Sequence, residues 1–181
     1  MLTTGIDAVT GTSGNDTIVG TNTTLTTADN INGGAGTDTL DVTLAAAANP
    51  LVTLSSVENV KLTSAVATLA GPVNATNWTG VEKVTVAGLG VAFSDSVVAG
   101  TTGNTVLNLQ NNVTLGVTNA ASTADNGAVL YAGFGSGKVG SATATLSLEL
   151  NGVVGNTANT GVANIVVDTA GTDKFTKLNV S

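Results

Sequence analysis

Asp7, Asp16, Asp29 and Asp38 form two pairs, each nine residues apart, and the second pair repeats the first after 22 residues. Carboxylates at fixed spacing among glycines are hard oxygen donors, and the chemistry they point to is cation binding, Ca²⁺ above all. Two runs sharpen the pattern: Gly11-Thr12-Ser13-Gly14-Asn15-Asp16-Thr17-Ile18 and Gly33-Gly34-Ala35-Gly36-Thr37-Asp38-Thr39-Leu40. Asp16 and Asp38 are the leading ligands. Asp7 and Asp29 sit in a thinner glycine context, and Asp41, just beyond Asp38, can cap or ligate. Asn15 and Asn32 can add carbonyls. The competing reading is that each aspartate merely closes a polar turn.

Composition removes most other chemistry. The 181 residues hold no His, no Cys and no Arg, 5 Lys against 12 acids, and a formal net charge of -7. Imidazole acid–base catalysis, thiol chemistry and the usual zinc sites are excluded. An acidic chain without Arg argues against nucleic acid and anionic membranes as partners. Three scattered glutamates, Glu58, Glu82 and Glu149, give no support to a carboxylate dyad, and the expectation is that the chain is not an enzyme. Charged residues are only 9% of the total, far below the usual quarter, while Thr (32), Gly (23) and Asn (19) are abundant. Abundant Val and Thr speak against disorder, so the surface is that of an all-β protein.

Elements of one kind must position the aspartates. A nonapeptide of turn plus short strand is half a coil of a parallel β-roll, so two half-coils put Asp7 and Asp16 on opposite sides. A full coil, lengthened by Thr21 to Thr27, then stacks Asp16 on Asp38 and Asp7 on Asp29. Ile18 and Leu40 follow their aspartates by two and point inward. Further on, Val57-Glu58-Asn59-Val60-Lys61-Leu62-Thr63 repeats as Val81-Glu82-Lys83-Val84-Thr85-Val86 after 24 residues, and Thr105 to Leu109 lies another 24 on. Residues 113–117, 144–150 and 163–167 read as additional strands by alternation. The predicted architecture is a right-handed parallel β-helix or β-roll solenoid, residues 1–44 forming calcium-binding coils and 45–181 continuing them, in one continuous domain. An antiparallel sandwich is the rival, since alternation does not fix pairing direction. No segment at either end reads as a cap.

Other residues invite a role and a plainer alternative. Glu58 with Lys61, and Glu82 with Lys83, read as surface ion pairs, and neighbouring coils can bring Glu58 near Lys83. Asp168, Gly171, Thr172 and Asp173 form a degenerate turn of the aspartate type, whereas Asp125-Asn126-Gly127 is an ordinary turn and Asp95 a solvated residue. Ala45 to Ala48, ended by Asn49-Pro50, reads as a short turn or loop. Gly133 to Gly137 reads as an exposed loop, and Trp78, Tyr131 and Phe134 as structural plugs. The residues from Met1 to Asp7 carry no secretory signal, and no apolar run is long enough to span a membrane.

The stretch from Leu2 to Ile18, with Ile31 to Val42 and Ser56 to Thr63, resembles the RTX-type calcium-binding region of bacterial surface-layer (S-layer) proteins. The likeness is good from the first residues through Ala65 and one of style thereafter. It departs from the family in having two good nonapeptides rather than a long array, and in lacking the paired glycine within Gly11-Thr12-Ser13-Gly14. The resemblance implies type I secretion, an extracellular place on the bacterial cell surface, and self-assembly into a lattice of identical protomers. It implies anchoring to lipopolysaccharide or other surface polysaccharide through another region. It makes Asp16 and Asp38 ligands of Ca²⁺ with carbonyls near Gly14, Gly34 and Gly36, and makes the ion a trigger of folding outside the cell. An adhesin or matrix module, or the non-catalytic roll of a type I secreted protein, would share the same repeats.

Overall fold

The computed structural model describes residues 1–45, 51–65, 73–88, 92–93, 105–110, 112–119, 121–122, 128–134, 145–153, 164–169 and 177–181. The chain alternates between sheets, and strands of successive coils stack in parallel. One sheet carries β2 (Thr17–Thr21), β4 (Thr39–Leu44), β6 (Asn59–Ser64), β8 (Lys83–Gly88), β11 (Thr114–Thr118), β14 (Thr145–Asn151) and β16 (Lys177–Val180), in that spatial order. The intervening strands form β1 (Ala8–Thr10), β3 (Asn30–Asn32) and β5 (Thr53–Ser55) in one sheet. They form β7 (Val73–Asn74), β10 (Thr105–Leu109), β13 (Ala128–Phe134) and β15 (Asn164–Thr169) in another. A short pair joins β9 (Ala92–Phe93) to β12 (Ala121–Ser122). Every pairing among the described residues is parallel, as coil-on-coil stacking requires and an antiparallel sandwich forbids.

Alternation builds the core. In the long sheet Ile18, Leu40, Val60, Val84 and Leu115 stand in register and are buried, and Val42, Leu62, Val86 and Val117 form a second inward column beside them. From the other side come Ile31, Leu54, Val73, Val106 and Trp78, the last bridged in parallel to Leu54. These side chains make one apolar cluster running from Leu2 to Leu146. Gly20 holds the inward place that Val42 takes in the next coil, and Leu2 fills it: a Cβ on Gly20 would lie 2.9 Å from Leu2 Cδ1. The Leu2 N–H also donates to the Val19 carbonyl at 2.9 Å, so the first residues cover the first coil.

Coil length changes along the stack. The in-register positions of the long sheet run Thr17, Thr39, Asn59 and Lys83, and then Thr114, Ser147 and Asn179. Each step after Lys83 is longer than any step before it. β10 is accordingly not the next strand above β8: it pairs with β7 and β13, and β11 stacks on β8. Asp168 lies within β15, opposite Gly133, rather than in a turn. Phe134 is buried at the end of β13 rather than in an exposed loop. Residues 135–137, Ala46 to Pro50, Asp95, Asp125-Asn126-Gly127, Gly171, Thr172 and Asp173 lie outside the described residues. Among the described residues no helix is long and apolar enough to cross a membrane.

Candidate functional site

The turn before each N-terminal strand is stacked as the spacing requires. Thr17 faces Thr39 and Ala8 faces Asn30, which puts Asp16 against Asp38 and Asp7 against Asp29. The Asp16 N–H donates to Asp38 Oδ1 at 2.7 Å, and the Asp7 N–H donates to Asp29 Oδ1 at 2.9 Å. The carbonyls complete the stitch, with Asp16 accepting from Thr39 N and Asp7 from Asn30 N at 2.9 and 2.8 Å. Each aspartate thus joins two coils by backbone and side chain together.

Within its own turn each of three carboxylates is closed by a threonine. Asp7 accepts from Thr3 N (2.7 Å) and Thr3 Oγ1 (2.9 Å), and Asp16 accepts from Thr12 N (2.6 Å) and Thr12 Oγ1 (2.8 Å), both on Oδ2. Asp29 accepts from Thr26 N (2.7 Å) and Thr26 Oγ1 (2.8 Å). The Thr12 backbone N–H, then its hydroxyl, hold the Asp16 carboxyl below the usual carboxylate range, with desolvation working the other way.

Asp38 differs. At the place four residues before, where Asp7 and Asp16 have a threonine, stands Gly34 (Asp29 takes its threonine three residues before), and the Gly34 N–H goes to Asn32 Oδ1 at 3.1 Å. Asp38 is fully buried and its Oδ2 has no hydrogen-bond partner. A buried anionic oxygen without a donor is costly, and a cation or a proton is what relieves it. The turns around it are packed to backbone contact. A Cβ on Gly33 would fall 1.9 Å from the Ser56 carbonyl oxygen and 2.5 Å from Asp38 Oδ2, and one on Gly11 would fall 1.9 Å from the Gly33 carbonyl oxygen. Gly34 and Gly36 have φ of 101° and 117°, the left-handed region that glycine enters freely.

One carboxylate oxygen of the stack is thus left without a donor among the described residues. Asp7 and Asp29 spend both oxygens on N–H and O–H donors, Asp16 takes its bonds on Oδ2, and Asp38 keeps Oδ2 open. Among the described residues no group of three acidic side chains converges on one point. The two glutamate–lysine readings are corrected. Asp41 is on the outer face, where Lys61 Nζ meets Asp41 Oδ2 at 3.0 Å, and Lys83 pairs with Glu149 across Gly116.

Glu58 is the residue that the spacing concealed. It follows Asp38 in the same column, since Thr39 faces Asn59, and its Oε2 accepts the Asp38 N–H at 2.7 Å. The signal was present as an acid two positions before an inward aliphatic: Asp16 and Ile18, Asp38 and Leu40, Glu58 and Val60, Glu82 and Val84. Asp7 with Val9 and Asp29 with Ile31 repeat it on the other sheet.

No protein-family model matches the chain, and neither a curated protein nor a solved structure does.

Proposed function

We propose that the chain is a structural solenoid of an RTX-type bacterial surface layer, exported by the type I route and assembled outside the cell into a lattice of identical protomers. The observation that carries the reading is the in-register aspartate stack with its one buried, unpartnered carboxylate oxygen among the described residues, Asp38 Oδ2. Asp38, with Asp16 stacked on it, would hold Ca²⁺ together with turn carbonyls near Gly14, Gly34 and Gly36. The ion supplies positive charge to a corner of the stack that otherwise carries acids alone. The chain's own residues do the rest: Gly11, Gly33 and Gly34 let the turns approach, and the parallel strands hold the carboxylates in one line. Anchoring to lipopolysaccharide or other surface polysaccharide would fall to a region outside this solenoid.

The test is a Ca²⁺ titration followed by circular dichroism and particle size, with reversal by chelator. The reading expects ordered assemblies to grow with Ca²⁺ and to disperse when it is removed. Identical spectra and sizes with and without the ion would end it. An adhesin is the second reading, favoured by a shallow depression of roughly 420 Å³ over Gly116, between Lys83 and Glu149 on the outer sheet face. It expects isolated rods and saturable binding to a surface polysaccharide, with no dependence of particle size on Ca²⁺.

A further inference from the structure

We infer that Asn151-Gly152 is a site of self-modification, at which the folded chain converts a side-chain amide to a carboxylate without an enzyme, while the fold shields the same dipeptide at Asn32-Gly33. Asn-Gly occurs at Asn32, Asn126 and Asn151. The pair at Asn126 lies outside the described residues. The other two are identical in sequence and opposite in surroundings.

The reaction needs a nucleophile and an electrophile on adjacent residues. The backbone nitrogen of the glycine attacks the asparagine Cγ. A bond forms between that nitrogen and Cγ, the bond from Cγ to Nδ2 breaks, and ammonia leaves with the proton that the backbone nitrogen gives up. Water then opens the cyclic imide at one of its two carbonyls. One opening gives aspartate, and the other gives isoaspartate, in which the main chain runs through Cγ. Nothing is oxidised or reduced, and water is the only co-reactant. Glycine permits the close approach because it carries no Cβ.

At Asn32 both partners are held. The Gly33 N–H donates to the Ser55 carbonyl at 3.0 Å, and Asn32 Oδ1 accepts the Gly34 N–H at 3.1 Å. Asn32 lies in β3 with Thr10 on one side and Ser55 on the other. Gly33 is buried, and a Cβ there would fall 1.9 Å from the Ser56 carbonyl oxygen, so its nitrogen has little room to swing toward Cγ. At Asn151 neither partner is held. Asn151 is the last residue of β14, and both it and Gly152 are exposed. Among the described residues the Asn151 carboxamide and the Gly152 N–H make no hydrogen bond. The chain is fixed only just before the reacting bond, where the Asn151 carbonyl accepts the Asn119 N–H at 2.7 Å. Asn119 stands beside Gly152 one coil earlier, since Thr118 faces Asn151, and both are left-handed with φ of 50° and 63°. Asn119 is followed by Ala120, whose Cβ hinders the attack that Gly152 allows.

The position gives the change a consequence. Asn151 lines the depression over Gly116, whose one acidic side chain is Glu149. Modification adds a second acid there and takes the chain one unit beyond its net charge of -7. The isoaspartyl form also lengthens the main chain by one carbon where β14 ends against β11. Neither Ca²⁺ nor assembly enters the reaction.

The experiment ages the full chain at neutral and mildly alkaline pH in chelator, folded and in urea, then cleaves after lysine for mass spectrometry. That cleavage puts Asn32, Asn126 and Asn151 on three different peptides. Electron-transfer fragmentation separates isoaspartate from aspartate. In the folded chain Asn151 should gain the mass of one deamidation, with isoaspartate among the products, at least about tenfold faster than Asn32, which reacts only from a locally opened state. In urea the two rates should converge, because only the fold distinguishes the sites. Asn151→Gln, whose longer side chain cannot close the five-membered ring, should keep its amide over the same time. Equal rates in the folded chain, a faster Asn32, or loss of the Asn151 amide without isoaspartate would overturn the inference. The comparison of folded with urea-treated wild type decides without any variant. A chain that takes up no Ca²⁺ would refute the surface-layer reading and leave this result standing.

Discussion

Asp16 and Asp38 occupy the same place in successive coils, and one neighbour makes them different. Thr12 closes the Asp16 carboxylate with an N–H and a hydroxyl, while Gly34 gives Asp38 neither. At Asp7 and Asp16 a threonine four positions before closes the carboxylate, and the glycine at that place before Asp38 leaves an oxygen open. Thr12→Ala removes the hydroxyl and should move the Asp16 titration upward toward its ordinary value, read from its carboxyl carbon resonance. The sign is fixed by the loss of a donor that favours the ionised form. At Asp38 the same logic predicts that Asp38→Asn, which keeps the shape and removes the charge, weakens the bond from Asp16 N and abolishes any response to Ca²⁺. The spacing of the aspartates was legible as soon as the intervals within and between the pairs were counted. Which of them was satisfied was not, because that depends on the donors each turn folds around the carboxylate.

The turns and strands obey different constraints. In the strands, period-two alternation with buried Ile18, Leu40 and Val60 was enough to identify β2, β4 and β6, because these inward positions are apolar and outward ones are polar except at Val19. The same rule could not place β10, since alternation says that a strand exists and not which sheet it joins. The coils lengthen beyond β8, which removed the spacing as a guide. In the turns, backbone contact rather than side-chain volume is limiting. Gly33→Ala would push a methyl to 1.9 Å from the Ser56 carbonyl oxygen, and should cost about 2–4 kcal/mol, since backbone must shift to relieve it. Leu40→Ala, at a position 0% exposed, should cost about 2–5 kcal/mol. Urea unfolding followed by far-ultraviolet circular dichroism measures both. Lys61→Ala, which breaks an exposed pair with Asp41, should cost under about 1 kcal/mol in the same assay.

At the scale of the whole molecule, the composition and the stack explain each other. A solenoid is stabilised mainly between neighbouring coils, so its ends can behave differently. Here the N-terminal coils add carboxylates that accept amides to the apolar stacking and backbone pairing that run through the described coils. Five of the 12 acids lie between Met1 and Asp41, and four of those are the stacked aspartates. The net charge of -7 is thus partly a structural feature of one end, and the absence of cysteine leaves these polar links to hold the coils. Trp78, the single tryptophan and 2% exposed, lies where the shorter coils give way to the longer ones. Its emission should shift only when the apolar core around it unfolds.

The claim on which the functional account stands is that the Asp38 turn takes Ca²⁺ and that assembly follows. Calorimetric titration of Ca²⁺ into the full chain and into Asp38→Asn, with negative-stain electron microscopy of each end point, tests it directly. The account predicts saturable heat and two-dimensional arrays for the wild type, and neither for the variant. Equal binding by both chains, or arrays that form without the ion, would contradict it.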